Sequence, residues 1–317
     1  MTNVLFIMNM PQDIRLSYRD DLKAKFPALT VNVVDHHSKV GPYIGSVDVV
    51  MAFGPHMADH VIKEAPNLKW IQALTTGTDG IDDCPSLRSD ILLTSLHGIH
   101  GNTMSETALM LMLALSRKLP QAIRNQDRRK WERLRTRLLH GRTVGIFGVG
   151  AIGEALAPKC KAMGMQVVGI DPIKRNIPDI DAWYAWDDVA RVIGEIDYAV
   201  LLIPSTPATK GIINAKFLGG MKPTSYLINL GRGPTVDDAA LLAALQEGRI
   251  AGAALDVFNP EPLPADHPYW SMSNVLVTAH NAGFFDEYEQ YAMPIIEDNM
   301  KRFLAGDTKN MVNLIEH

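Results

Sequence analysis

Four charged or titratable side chains stand where apolar runs end. Arg232 lies in the glycine-flanked loop NLGRGPTVD after SYLINL (225–230). Asp256 and Glu261 come in LDVFNPEP at and beyond the end of GAALDV (252–257), and His280 closes NVLVTAH (274–280). Taken alone, a histidine at a strand edge is an ordinary capping residue. Its companions change that reading. In open parallel sheets ligands bind outside the carboxyl ends of the strands, so Arg232, Glu261 and His280 are expected to converge there. A guanidinium is a permanent planar cation that holds a carboxylate or polarises a carbonyl. An imidazolium delivers a proton to a developing alkoxide, and a carboxylate on its far nitrogen fixes the tautomer and raises its pKa. Together these types suit hydride transfer to a 2-keto acid.

Hydride transfer needs a carrier, and TVGIFGVGAIGEALAPKCKAMGMQVVGID (143–171) reads as its site. Gly148-x-Gly150-x-x-Gly153 follows a strand and opens a helix through Ala151 and Ile152, and Asp171 ends the next strand 18 residues past Gly153. That context turns a weak motif into a dinucleotide fingerprint. Gly148 permits the tight turn, Gly150 lets backbone N–H groups approach a pyrophosphate, and Gly153 lets the helix pack on the strand. Asp171 would accept bonds from ribose hydroxyls and repel a 2′-phosphate, which favours NAD. Lys174 and Arg175 point the other way and keep NADP open.

The elements that position these groups alternate along the chain, as parallel sheets covered by helices require. VLFIM (4–8), VNVVD (31–35), VDVVMAF (47–53), LKWIQAL (68–74) and ILLTS (91–95) read as strands of a first α/β unit. A helix is expected from about Thr103 to Leu119, ended by Pro120. A second series starts at 143 and adds strands at 166–171, 197–203, 225–230, 252–257 and 274–280. The last helix, about Phe285 to Ala305, is placed to fold back onto the first unit, which would insert the second domain into the first. The expectation is two doubly wound α/β domains: a Rossmann dinucleotide-binding domain (98–284) inside a flavodoxin-like substrate domain (1–97 and 285–317).

Bulk properties narrow the partners. The 317 residues are 47% hydrophobic with a net charge of −4, so nothing global calls for nucleic acid or an anionic membrane. The most apolar stretch, TALMLMLAL (107–115), is far short of the ~20 residues of a membrane span and reads as a core helix. The N-terminus shows no secretory signal, and Cys84 and Cys160 lie in no metal-ligand spacing; both fit a reducing cytoplasm. Residues 124–142 carry eight Arg/Lys against two acids and read as a solvated connector or an oligomer face, with a polyanion patch as the alternative.

The chain resembles the D-isomer-specific 2-hydroxyacid dehydrogenase family. The N-x-x-R-G-x-x-V-D segment matches Asn229 to Asp237, D-V-F-x-x-E-P matches Asp256 to Pro262, and P-L-W-x-x-x-N-V resembles Pro268-Tyr269-Trp270 through Asn274-Val275. The resemblance implies that Arg232, Glu261 and His280 are the catalytic set and that Asp256 binds the nicotinamide carboxamide. Pro204 and Thr206 in LLIPSTPAT would pass the adenosine side. Thr76-Gly77-Thr78-Asp79 matches the glycine loop whose N–H groups bind the substrate carboxylate; a plain turn is the alternative. The resemblance also implies a homodimer with the helix near Thr103 in its interface.

Two departures stand out. His100 occupies the place of an asparagine near the substrate, which adds bulk, whereas His97 reads as a plain loop residue. Ala279 replaces the usual proline before His280. Rival readings on the same scaffold are a phosphite dehydrogenase and a non-catalytic NADH-sensing corepressor. Glu261 argues against a formate dehydrogenase, where a glutamine–histidine pair would be expected.

Overall fold

A computed structural model describes residues 1–173 and 176–317. The chain divides into two compact units, Met1–Ile99 with Phe285–His317, and His100–Phe284. Lys174 and Arg175 lie outside the described residues.

In the first unit, strands β1 (Asn3–Ile7), β2 (Thr30–Val34), β3 (Val49–Ala52), β4 (Trp70–Ala73) and β5 (Leu92–Thr94) pair in parallel, and β13 (Leu314–Ile315) joins β5 antiparallel. The order is β13-β5-β4-β3-β1-β2. Every residue of β3 and β4 is buried, the mark of strands covered on both faces. Helices α1 (Gln12–Lys25), α2 (Gly41–Ile44) and α3 (Asp59–Lys63) supply part of that cover, and α9 (Tyr288–Ala305) packs Tyr288, Met293, Ile296 and Met300 into the core with Val4, Phe6 and Met51.

That core also holds a polar chain. Trp70 Nε1 donates to Thr94 Oγ1 at 2.8 Å, Thr94 Oγ1 to Gln72 Oε1 at 2.8 Å, and Asn299 Nδ2 to the same Gln72 oxygen at 3.1 Å. Asn299 also takes the Val312 N–H and donates to the Val312 carbonyl, at 2.6 and 3.0 Å. Every link is satisfied, which such a buried network requires.

The second unit has the order β12-β11-β10-β9-β6-β7-β8, all parallel. Its strands are β6 (Thr143–Phe147), β7 (Gln166–Ile170), β8 (Ala182–Tyr184), β9 (Tyr198–Leu201), β10 (Tyr226–Asn229), β11 (Gly252–Leu255) and β12 (Val275–Val277). Its helices are α4 (Gly101–Ser116), α5 (Leu119–Asp127), α6 (Ala151–Ala162), α7 (Ala215–Gly220) and α8 (Asp238–Gln246). Strand order reverses between β6 and β9, so the glycine loop after β6 opens at the topological switch point.

One expectation is corrected. Pro120 does not end the helix of residues 103–119: α4 stops at Ser116, Lys118 turns left-handed (φ 53°), and Pro120 sits in the first turn of α5. A proline lacks an N–H that this position does not use, so it starts a helix as readily as it stops one. The first four residues of the supposed basic connector, 124–127, are therefore helical. The rest, through Leu138, has no regular structure and leaves Trp131 94% exposed. No helix among the described residues is long and apolar enough to cross a membrane.

Candidate active site

Arg232 follows β10 by three residues and is held by its backbone. Its carbonyl accepts from Asn229 Nδ2 (3.2 Å) and Thr235 Oγ1 (2.6 Å), while Gly231 N–H donates to Asn229 Oδ1 at 3.1 Å. Gly233 brings this loop against the next: a Cβ there would lie 1.9 Å from the Phe258 carbonyl oxygen. Only a residue without a side chain permits that approach. Phe258 opens the turn that carries Glu261, and its N–H donates to Glu261 Oε1 at 2.8 Å.

Glu261 reaches the third loop. His280 Nδ1 donates to Glu261 Oε2 at 2.7 Å, which leaves Nε2 as the ring nitrogen turned away from Glu261. The bond from Glu261 holds the His280 pKa above its ordinary value; burial and the Arg232 charge oppose it without prevailing. For Glu261, burial works to raise the pKa, but the His280 bond, the Phe258 N–H and the nearby cations outweigh it and hold the carboxyl low. The pair is thus an imidazolium–carboxylate over a wider pH range than free side chains would allow. Arg232 acts on both through its charge, so the three groups form one electrostatic cluster at the carboxyl ends of β10, β11 and β12.

His280 itself is left-handed, with φ 50°. For a non-glycine residue this costs roughly 1–2 kcal/mol, and it persists only where the surroundings over-determine it. Asp256 does much of that. Its carbonyl accepts the His280 N–H at 2.8 Å. Its carboxylate, in a residue only 1% exposed, accepts Thr278 Oγ1 at 2.6 Å and the Asn281 and Ala282 N–H groups at 3.1 Å each. The carboxylate is thus directed at the turn beyond β12.

The dinucleotide fingerprint has a shape that suits a pyrophosphate. Gly148 has φ 92° and lies 3.0 Å, at its missing Cβ, from the Leu202 backbone. Gly153 brings α6 so near the turn that a Cβ would sit 2.8 Å from the Gly148 carbonyl oxygen. Around the missing Cβ of Gly150 there is open space, just where α6 begins with Ala151 and Ile152. Asp171 closes the loop: its Oδ2 accepts Val149 N–H and its Oδ1 the Ile173 N–H, both at 2.9 Å. A carboxylate has four lone-pair sites, so each oxygen keeps acceptor capacity beyond these two bonds. Pro204 and Thr206 lie exposed after β9, where Thr209 Oγ1 ties the loop by donating to the Pro204 carbonyl at 2.7 Å and accepting the Thr206 N–H at 2.8 Å.

The remaining candidates divide. Thr76, Gly77 and Thr78 belong to the first unit, in the loop after β4; Thr75 Oγ1 donates to the Gly77 carbonyl at 2.6 Å and Thr78 Oγ1 to Asp82 at 2.7 Å. His100 belongs to the second unit, starts α4, and is 8% exposed with its ring against Gly283. Among the described residues no group of three or more His, Cys, Asp or Glu is placed to hold a metal ion.

Comparison with known proteins follows the same lines. Residues 109–282 match the family model for the D-isomer specific 2-hydroxyacid dehydrogenase, NAD binding domain. A glyoxylate reductase of Korarchaeum cryptofilum is 32% identical over 80% of this chain and 78% of its own length. The D-3-phosphoglycerate dehydrogenase of Methanocaldococcus jannaschii is 33% identical over 84% of the chain, which spans only 51% of that longer protein. Among solved structures, a D-isomer specific 2-hydroxyacid dehydrogenase family protein from Aeromonas salmonicida superposes with a TM-score of 0.89 at 32% identity, covering 99% and 98% of the two chains. An NADPH-dependent glyoxylate/hydroxypyruvate reductase from Sinorhizobium meliloti, in complex with NADP and sulfate, gives 0.85 at 27%, covering 100% and 98%.

Proposed function

The chain belongs to the D-isomer-specific 2-hydroxyacid dehydrogenase family, and on that premise we propose that it interconverts a small 2-keto acid and its D-2-hydroxy acid with a nicotinamide dinucleotide. The observation that carries this is the 2.7 Å bond between His280 and Glu261 within the charge of Arg232. The second unit takes the dinucleotide: Gly148, Gly150 and Gly153 with the start of α6 hold the pyrophosphate, Asp171 the ribose, and Pro204, Thr206 and Asp256 flank it. When bound, the nicotinamide supplies or accepts the hydride. Arg232 holds the substrate carboxylate and polarises the keto oxygen. His280 Nε2 gives its proton to that oxygen as negative charge develops, and Glu261 holds the ring protonated and oriented for it. In the reverse direction neutral His280 takes the hydroxyl proton. The first unit serves as the substrate domain, with Thr76-Gly77-Thr78 offering N–H groups to the carboxylate, while His100, at the start of α4 in the second unit, limits the size of the substrate.

Asp171 favours NADH, because a second negative charge meets a 2′-phosphate badly. NADPH is the second reading, favoured by the Sinorhizobium meliloti enzyme named with NADP. The protein is further read as a cytoplasmic homodimer. Its unpaired Cys84 and Cys160 suit a reducing compartment, and Met110, Leu113, Leu119 and Ile123 leave an apolar face exposed along α4 and α5.

The test is a panel of glyoxylate, hydroxypyruvate, pyruvate and bulkier 2-keto acids with NADH or NADPH, followed by loss of reduced-nicotinamide absorbance. Turnover with one acid and one cofactor is expected. NADH binding without turnover across the panel would favour the phosphite or sensor readings instead.

A further inference from the structure

The turn that carries His280 is gripped from a second side, by groups that hydride chemistry does not call for. Thr103 and Thr107 stand four residues apart on one face of α4. Both hydroxyls donate to the same acceptor, the Ala282 carbonyl, at 3.1 and 3.3 Å. Next along the chain, the His100 ring lies 3.1 Å from where a Gly283 Cβ would be. Asp256 holds the turn from the sheet side through Asn281 and Ala282 N–H. The peptide at Ala282 is thereby fixed at both ends, its N–H by a carboxylate and its carbonyl by two hydroxyls.

We propose that Thr103 and Thr107 are positioning residues for His280, the helix-side half of a clamp whose sheet-side half is Asp256. A left-handed residue relaxes toward ordinary backbone angles when its neighbours are released. Relaxation at His280 swings the ring away from Glu261 and from the position in which it meets the substrate oxygen. The hydroxyls act on His280 through the backbone, by way of the Ala282 carbonyl. This inference rests on the reading of His280 as the proton donor.

The experiment is the full chain with Thr103→Val and Thr107→Val together, beside Thr103→Ser with Thr107→Ser. In the valine pair kcat for keto-acid reduction is expected to fall on the order of 10- to 10²-fold, as misplacing a reacting group does, with KM and NADH affinity held within about threefold. The imidazole titration of His280, followed by NMR on histidine-labelled protein, is expected to move to lower pH as the ring leaves Glu261. The serine pair keeps both hydroxyls and is expected to restore both readouts. An unchanged kcat with an unchanged titration overturns the proposal, as does a serine pair that fails as the valine pair does. If the valine pair does not fold, Thr103→Val alone decides by the same two readouts. The titration needs no turnover, so a wild type inactive on every keto acid sinks the dehydrogenase reading while leaving the clamp to stand or fall separately.

Discussion

His280→Asn separates the chemistry of this site from its architecture. Asparagine is among the few residues that tolerate a left-handed backbone, so the turn at φ 50° keeps its shape and its N–H bond to Asp256. What is lost is the bond to Glu261. The His280 and Glu261 side chains are 45% and 35% exposed, and a pair so open to solvent contributes only about 0.2–1 kcal/mol. Easing the left-handed residue offsets part of this, so the net change in stability is expected within about 1 kcal/mol, a Tm shift of roughly 2–4 °C. The rate responds on another scale. If His280 is the general acid proposed above, its loss is expected to lower kcat by about 10²–10⁴-fold, or roughly 3–5 kcal/mol of barrier. The assay pairs thermal unfolding with initial rates of NADH oxidation on whichever 2-keto acid the wild type turns over best. A variant that keeps its rate within about threefold removes His280 from the mechanism. One that loses its rate together with several kcal/mol of stability shows instead that the ring is structural.

Further outcomes follow from the same geometry. On the proposed mechanism reduction requires protonated His280, so its rate is expected to fall as pH rises through a pKa that Glu261 holds above the ordinary value; Glu261→Gln is expected to move that fall to lower pH, and the rise in hydroxy-acid oxidation with it, in steady-state pH profiles. An unmoved profile counts against the pairing. Gly233→Ala puts a Cβ 1.9 Å from the Phe258 carbonyl and is expected to cost about 1–3 kcal/mol in denaturant unfolding, with turnover lost and NADH binding retained. Asp171→Ala removes the acceptor of two loop N–H groups and the partner offered to the ribose; fluorescence titration is expected to show NADH weakened about 10- to 100-fold and the preference moved toward NADPH. Equal loss for both dinucleotides would refute the role given to Asp171.

Much of this was legible because buried parallel strands are near-continuous apolar runs. The runs at 47–53 and 197–203 each contain a strand of the structure, the run at 4–8 takes in all of β1 but Asn3, and the fingerprint at 148–153 stands directly after β6. What escaped reading lacked such a signal. Strand β8, Ala182-Trp183-Tyr184, is three half-buried residues at a sheet edge, and β13 is two residues pairing antiparallel with β5. Helix α5 was hidden by Pro120, whose meaning depends on whether a helix is ending or beginning. At the site, residue types and strand ends pointed to Arg232, Glu261 and His280. The grip of Asp256 on residues 278–282, and of Thr103 and Thr107 on Ala282, depends on contacts between segments 22 to 179 residues apart, which no local pattern encodes.

The polar chain through Gln72, Thr94, Asn299 and Val312 bears on the order in which the protein is made. A ribosome delivers the N-terminal segment first, yet the amides that complete its core arrive only when residues 299 and 312 emerge. The 100–284 segment is contiguous and has all its strands by Val277. During synthesis the middle of the chain therefore closes before its beginning, and the all-buried strands β3 and β4 wait without Asn299. Until α9 emerges, part of the first unit's apolar core lacks its cover, the condition under which partly folded chains tend to aggregate.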